Sequence, residues 1–256
     1  MFIEDLLREW NIRPGGEVVL KHPFASGAIA DPALVAKLGD ILSAPLSALD
    51  QTLALDTERL KARCWTAGFE GEEIHGMTVG QRTRAGVELQ VLLSSYPGTT
   101  AWGDRVRMLS GDLLPAQSWD LPADTDRTVL PLDSSERVDP HLPFDATADI
   151  VLHSPVSLRP VAGIDDVRTI VSHAAAVYGE RDTGLRMMAK PNLLSLWTCE
   201  ISGIPVEAAS LIRVDPELRV ETMTLAFRPW PVVRLFRDRA IARTRDLIDP
   251  SYYDPN

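Results

Sequence analysis

Cysteine is nearly missing. Cys64 and Cys199 are the two cysteines in a chain of 256 residues, and no Cys-x-x-Cys occurs. That count excludes a disulfide framework and the usual thiolate zinc motifs, and a reducing cytoplasm is the expected location. Long apolar runs are absent too, so no segment reads as a membrane-spanning helix. The first ten residues, MFIEDLLREW, break their apolar pattern with Glu4, Asp5 and Glu9. They lack the basic start and unbroken apolar core of a secretion signal, and read instead as a short amphipathic helix packed on the domain. Positive charge is in deficit, with 26 Lys and Arg against 36 Asp and Glu and a net charge of −10. A basic footprint for nucleic acid or an anionic membrane surface is therefore missing, and neither is expected as a partner. The chain holds no GxGxxG, P-loop, GxSxG or HExxH. Its five histidines, His22, His75, His141, His153 and His173, show no metal-ligand spacing. Neither a cofactor nor a metal is expected.

What the chain does contain is a repeat. Val19 and Leu20 of VVLKHP (18–23) fall on Val151 and Leu152 of IVLHSP (150–155), with Pro23 on Pro155. The shift is 132 residues. At the same shift CWTAGFEG (64–71) falls on LWTCEISG (196–203), which pairs Trp65 with Trp197, Thr66 with Thr198 and Gly71 with Gly203. LLSSYPG (92–98) falls on TLAFRPW (224–230), again pairing Leu93 with Leu225 and Pro97 with Pro229. Three separated anchors at one shift point to a duplicated unit. Between the copies, residues 111–143 are rich in Pro, Asp and Ser, which block regular structure and mark a linker. Its Trp119 and TVLPL segment suggest that it runs along a surface.

The second copy shows the order of elements most clearly. ADIVLHSP reads as a strand stopped by Pro155. In GIDDVRTIVSHAAAVYG, Ile164, Val167, Ile170, Val171, Ala174, Val177 and Tyr178 recur at helical spacing. Asp165 and Asp166 sit in its first turn, where the helix dipole favours negative charge, and Gly179 ends it. GLRMMAK, LLSLWTCEISG, IPVEAASLIRV and LRVETMTLAFR read as four strands of a meander. Pro231 opens a last helix, VVRLFRDRAIAR. The first copy repeats this order, with a helix opened by Asp31 and Pro32 and striped by Leu34, Val35, Leu38, Ile41 and Leu42. The expected fold is α+β, with two repeated units, each a curved, mostly antiparallel sheet with helices over its concave face. Their bounds are 1–110 and 144–256. Such a layer leaves room for a pocket.

This order, and the phrase SPVSLRPVAG (154–163) between first strand and helix, resemble the nuclear transport factor 2-like superfamily, whose fold is a cystatin-like α+β roll. That group includes ketosteroid isomerases, SnoaL-type polyketide cyclases and enzymes of the limonene-epoxide-hydrolase type. The ending FRPWPVVRLFRD (227–238) is similar to the close of bacterial SnoaL-like proteins. The resemblance covers about 146–243 and, more weakly, 14–109. It implies binding of an apolar small molecule, with isomerase, cyclase or epoxide-opening chemistry as one outcome. The other outcome is a non-catalytic ligand- or partner-binding protein with a degenerate pocket, since fold alone does not give activity. It also implies dimer-like pairing, as a pseudo-dimer within one chain or as a homodimer. In support, LLSLWTCEISG carries apolar side chains at both parities, so that both faces of the sheet are expected to be covered.

Ketosteroid isomerases place their general-base Asp immediately before the proline that ends the first strand. In this chain His22 and Ser154 hold that slot. Histidine has the pKa for such a base and serine has not. The family's oxyanion pair of Tyr and protonated Asp, a worked case of pKa tuning, has no clear counterpart. His22 is thus the candidate base, and Asp165 and Asp166 are candidates for epoxide chemistry, with Asp166 the catalytic candidate of the two. The plainer readings are a strand-end histidine and a first-turn helix charge. Trp65, Ser154, Tyr178, Trp197, Arg228 and Trp230 are the candidate pocket lining, against core packing for the tryptophans and a structural, carbonyl-binding role for Arg228.

Overall fold

The structure is a computed structural model that describes Ile3, Arg8 and residues 17–95, 98–130 and 142–254. The chain divides into two compact units, Met1–Pro122 with Arg228–Pro231, and Ala123–Phe227 with Val232–Asn256.

In the first unit, β1 (Val18–Lys21) is followed by α1 (Pro32–Ser43), β2 (Ser47–Asp56), β3 (Leu60–Phe69), β4 (Glu72–Arg82), β5 (Val87–Leu93) and α2 (Gly98–Ser110). β2 to β5 form an antiparallel meander. β1 joins β5 in parallel, with Val18 opposite Val87 and Leu20 opposite Leu89. The start of α1 follows from its sequence. The Asp31 carboxylate accepts the N–H groups of Ala33 (2.9 Å) and Leu34 (3.0 Å), and Pro32 fits the first turn, whose N–H would be unpaired anyway. Of the expected stripe, Val35, Leu38 and Leu42 are buried, while Leu34 and Ile41 are half-buried.

The second unit contains β6 (Ala146–His153), β7 (Val161–Ala162), α3 (Ile164–Tyr178), β8 (Asp182–Ala189), β9 (Asn192–Ile201), β10 (Ile204–Val214), β11 (Val220–Arg228) and α4 (Trp230–Thr244). The last residue of β11 and the first two of α4 belong to the first unit. β8, β9, β10 and β11 lie side by side in that order, and β6 runs parallel to β11. α3 packs on β6, β7 and β9.

Several elements of the two units lie 132 residues apart, the shift read from the sequence. β3 and β9 begin and end 132 residues apart, as do β4 and β10. α1 and α3 begin 132 apart, and so do α2 and α4. The hairpins agree in their backbone. Glu70 and Gly71 have φ of 51° and 90°, and Ser202 and Gly203 have 54° and 73°. Two successive positive φ values match a two-residue hairpin loop to the twist of its strands, and glycine removes the steric cost at the second position.

The first strand of each unit, β1 or β6, is the one that joins the sheet in parallel. Within 111–143, residues 111–122 lie in the first unit, where Gly111–Leu113 and Ala116–Trp119 form short 3-10 turns and Trp119 is only 6% exposed. Residues 123–130 lie in the second unit, where Arg239 donates to the Thr128 and Asp126 carbonyls. Of the N-terminal helix, Ile3 and Arg8 are helical and Ile3 is buried, and its remaining residues lie outside the described residues. Tyr96, Pro97 and His141 also lie outside them. Among the described residues no helix is long and apolar enough to cross a membrane.

Candidate functional site

β1 of the first unit runs into His22, which has no exposed surface. Its Nδ1 accepts the N–H of Phe24 at 3.2 Å. The neutral ring must then carry its proton on Nε2, and Nε2 has no hydrogen-bond partner. Burial first, and the Arg228 charge second, lower the His22 pKa from 6.5 to about 3. His22 therefore sits in the core as a neutral ring rather than at a pocket mouth.

Arg228 is 4% exposed, and its guanidinium is directed at backbone. Nε donates to the His22 carbonyl (3.1 Å), and Nη2 donates to the carbonyls of Ala25 (3.1 Å) and Gly27 (2.9 Å). These bonds hold the turn that follows β1. Trp230 stands beside it, with its backbone N–H on the Pro23 carbonyl at 2.8 Å and its indole N–H on Thr100 Oγ1 at 3.2 Å. The helix-covered face of the sheet is filled with rings. Trp65 meets Trp102 edge-on at 6.1 Å, Trp102 meets Phe24 at 4.9 Å, and Trp119 meets His22 at 5.2 Å. Trp65 donates to Thr78 Oγ1 at 3.0 Å and Trp102 to the Leu42 carbonyl at 3.2 Å. The Trp65 indole lies over Gly76, where any Cβ would overlap it.

In the second unit Ser154 does what His22 does. Its Oγ accepts the N–H of Val156, two residues on, at 3.3 Å. Here too rings fill the helix side. Tyr178 packs on Trp197 (5.3 Å) and Phe236 (5.8 Å), and Phe227 on Trp197 (5.5 Å) and Phe236 (5.4 Å). Trp197 donates to Ser210 Oγ at 2.8 Å. Trp65 and Trp197, and Thr78 and Ser210, are each 132 apart, so one bond occurs twice at corresponding positions. The Arg181 guanidinium covers the rings, 5.3 Å from Trp197 and 5.8 Å from Tyr178. Burial pushes the Tyr178 hydroxyl pKa up.

Asp166 is not part of this cluster. It lies twelve residues from Tyr178 along α3, or roughly 18 Å at the helical rise. There it is half-buried and hydrogen-bonded to Tyr252. Burial first, then the nearby Asp165 and Asp249, raise its pKa. The Tyr252 hydroxyl also accepts the Ala162 N–H at 3.4 Å. The structure thus brings together Tyr178 with Trp197, and His22 with Arg228, and leaves Asp166 apart.

Sequence reasoning missed Phe24, Trp102 and Trp119 in the first unit and Arg181, Phe227 and Phe236 in the second. Phe227 and Phe236 stand in the quoted FRPWPVVRLFRD segment, and helical spacing would have faced Phe236 inward. Among the described residues of the second unit, grooves open away from the ring cluster. One, of about 340 Å³, is lined by Arg237, Ile241, Arg245, Tyr253 and Asp254 among others. Another, of about 280 Å³, lies between Lys190, Pro191, Arg213, Asp215 and Leu218. Among the described residues no three His, Cys, Asp or Glu side chains converge as metal ligands. Cys64 and Cys199 are buried free thiols, raised by burial to pKa values of about 12 and about 11.

No family model and no curated protein matches the chain. Solved structures do. An uncharacterized bacterial protein with a cystatin-like fold from Silicibacter pomeroyi is 19% identical, with a TM-score of 0.38, over 41% of this chain and 73% of its own. A steroid delta-isomerase from Pseudomonas aeruginosa is 16% identical, with a TM-score of 0.36, over 37% of this chain and 71% of its own. An NTF-2 like protein of unknown function from Burkholderia xenovorans is 15% identical, with a TM-score of 0.29, over 32% of this chain and 63% of its own.

Proposed function

We propose that the chain is a tandem of two nuclear transport factor 2-like units that binds an apolar small molecule without transforming it. The observation that carries this reading is the use made of the isomerase base slot. His22 and Ser154 each accept the N–H of the residue two places on, Phe24 and Val156. A histidine whose Nδ1 is so engaged presents a donor at Nε2 and no free lone pair, so it cannot take a proton from a substrate. The aromatic rings gathered on the helix side of both units are of the chemical kind that receives an apolar ligand. The coincidence of strands, helices, hairpin φ values and the indole–hydroxyl bond at one shift supports the duplication. We place its copies at 1–110 and 144–256, with 111–143 between them.

The test joins turnover with binding. Given a standard unsaturated ketosteroid, the protein should move no double bond above the buffer rate. Native mass spectrometry of the freshly purified protein should show an apolar molecule retained. Double-bond migration that is abolished by His22→Ala would overturn the reading.

A further inference from the structure

The groove of about 280 Å³ in the second unit lies away from the aromatic rings. Lys190 and Pro191, in the turn between β8 and β9, form one wall, and the end of β10 with the loop into β11 forms the other. The Val214 N–H donates to the Pro191 carbonyl at 2.9 Å and ties the two walls together. Pro191, Val214, Pro216 and Leu218 give the groove an apolar surface, and its charges are unequally matched. Asp215, 7% exposed, is taken up by its own loop, where its carboxylate accepts the Arg219 N–H and Nε–H, each at 2.8 Å. Glu221 pairs with Arg213 at 3.3 Å. Lys190 is exposed and, among the described residues, its ammonium has neither a hydrogen bond nor an ion pair. One positive charge therefore stands uncompensated beside an apolar surface, in a chain whose net charge is −10.

Leu218 is the second unusual feature. Its φ is 67°, in the left-handed region that bulky residues rarely occupy, and its side chain is 54% exposed. The loop holds it there through the Leu218 N–H on the Asp215 carbonyl (3.0 Å) and the Asp215 N–H on the Arg219 carbonyl (2.9 Å). Glycine would take this backbone at no steric cost, and asparagine would tolerate it without exposing apolar surface. Leucine does neither, and a strained residue of this kind is a pointer to function.

We propose that this groove binds a small carboxylate carried on an apolar stem. The carboxylate meets the Lys190 ammonium, and the stem lies on Leu218, Pro216, Val214 and Pro191. The volume limits the guest to a short chain or a single ring. The stem is needed because an anion without one meets the repulsion of the whole chain with a single exposed lysine to offset it. The site is separate from the ring clusters and stands whether or not those clusters hold a ligand.

The test titrates the full chain with hexanoate, hexanamide and acetate at low ionic strength and follows amide chemical shifts by NMR. Hexanoate should shift the amides within 190–192 and 213–221 saturably, with a dissociation constant on the order of millimolar. Hexanamide should bind about two- to fivefold more weakly, the value of an exposed ion pair, and acetate should not saturate. Lys190→Gln should bring hexanoate down to the level of hexanamide. Glu221→Gln, which releases Arg213, should tighten hexanoate by roughly two- to fivefold. Leu218→Gly separates binding from folding. Glycine relaxes the positive φ, so the urea midpoint should hold or rise while hexanoate binding weakens several-fold. Equal binding of hexanoate and hexanamide, or wild-type binding by Leu218→Gly, would overturn the proposal. Hexanoate shifts confined to the ring clusters would also overturn it, and would leave the apolar-ligand reading standing.

Discussion

The burial of His22 makes the stability of the first unit depend on pH in a way that one substitution isolates. In the folded chain its pKa is lowered from 6.5 to about 3. Between those values the unfolded chain binds a proton that the folded chain refuses. The contribution is therefore complete above pH 6.5 and is lost as pH falls toward 3. The slope inside that window approaches about 1.4 kcal/mol per pH unit. From pH 7.5 to pH 5.0 the loss is about 2 kcal/mol, since only the fall below 6.5 counts. His22→Asn removes the titration and keeps an acceptor near the Phe24 N–H. Other titrating groups act in both proteins and cancel in the comparison.

The assay is urea unfolding of both proteins at pH 7.5 and 5.0, followed by tryptophan emission, to which Trp65, Trp102 and Trp119 contribute from the first unit. The variant is expected to be less stable at pH 7.5, and that offset is not the test. The test is the difference of differences, in which the wild type should lose about 2 kcal/mol more than His22→Asn on acidification. A value below about 0.5 kcal/mol, the usual error of such comparisons, would refute a buried neutral His22. Nitrogen NMR gives an independent check, because the Nε2–H tautomer has distinct shifts and should persist well below pH 6.

Arg228→Lys should cost about 2–3 kcal/mol in urea unfolding, because a lysine cannot reach the His22, Ala25 and Gly27 carbonyls together and leaves buried acceptors unpaired. Gly76→Ala should cost roughly 1–3 kcal/mol, since the new methyl overlaps the Trp65 indole in a packed core; a neutral result would show that the indole is free to move. Double-mutant cycles of Trp65→Phe with Thr78→Val, and of Trp197→Phe with Ser210→Ala, should each give a coupling of about 1 kcal/mol; zero coupling in one would show the two bonds to be unequal. Sedimentation should give the single-chain mass of 28.2 kDa if pairing is within one chain, and twice that mass would favour the homodimer.

The fold was legible where the signal is local and repeated. The Asp31-Pro32 start of α1 and the Gly179 end of α3 are set by residues within a few positions, so pattern reading located them. The parallel partners of β1 and β6 were not legible. Val18 meets Val87 and Leu152 meets Met223 across long stretches of chain, and no neighbour in sequence announces such a pairing. Trp119 was legible in part: its ring within an irregular Pro115–Pro122 stretch pointed to a segment laid along a surface, and composition does not say which surface or how deeply the ring is buried.

His22 and Ser154, the residues before Pro23 and Pro155, show how little residue type alone says about a role. Histidine read alone suggests a base, and serine read alone suggests nothing. Together they share one property, a lone pair placed two residues before a backbone N–H at the end of a strand. An imidazole nitrogen and a hydroxyl oxygen are interchangeable as acceptors for an N–H and are not interchangeable as proton acceptors from carbon acids. As acceptors at the ends of β1 and β6 the two residues are equivalent. The difference between the units then lies in what remains after that bond is made. Ser154 has no second polar atom on its side chain, whereas His22 keeps a buried Nε2–H without a hydrogen-bond partner. That leftover Nε2–H is the difference between the two positions once the shared bond is made.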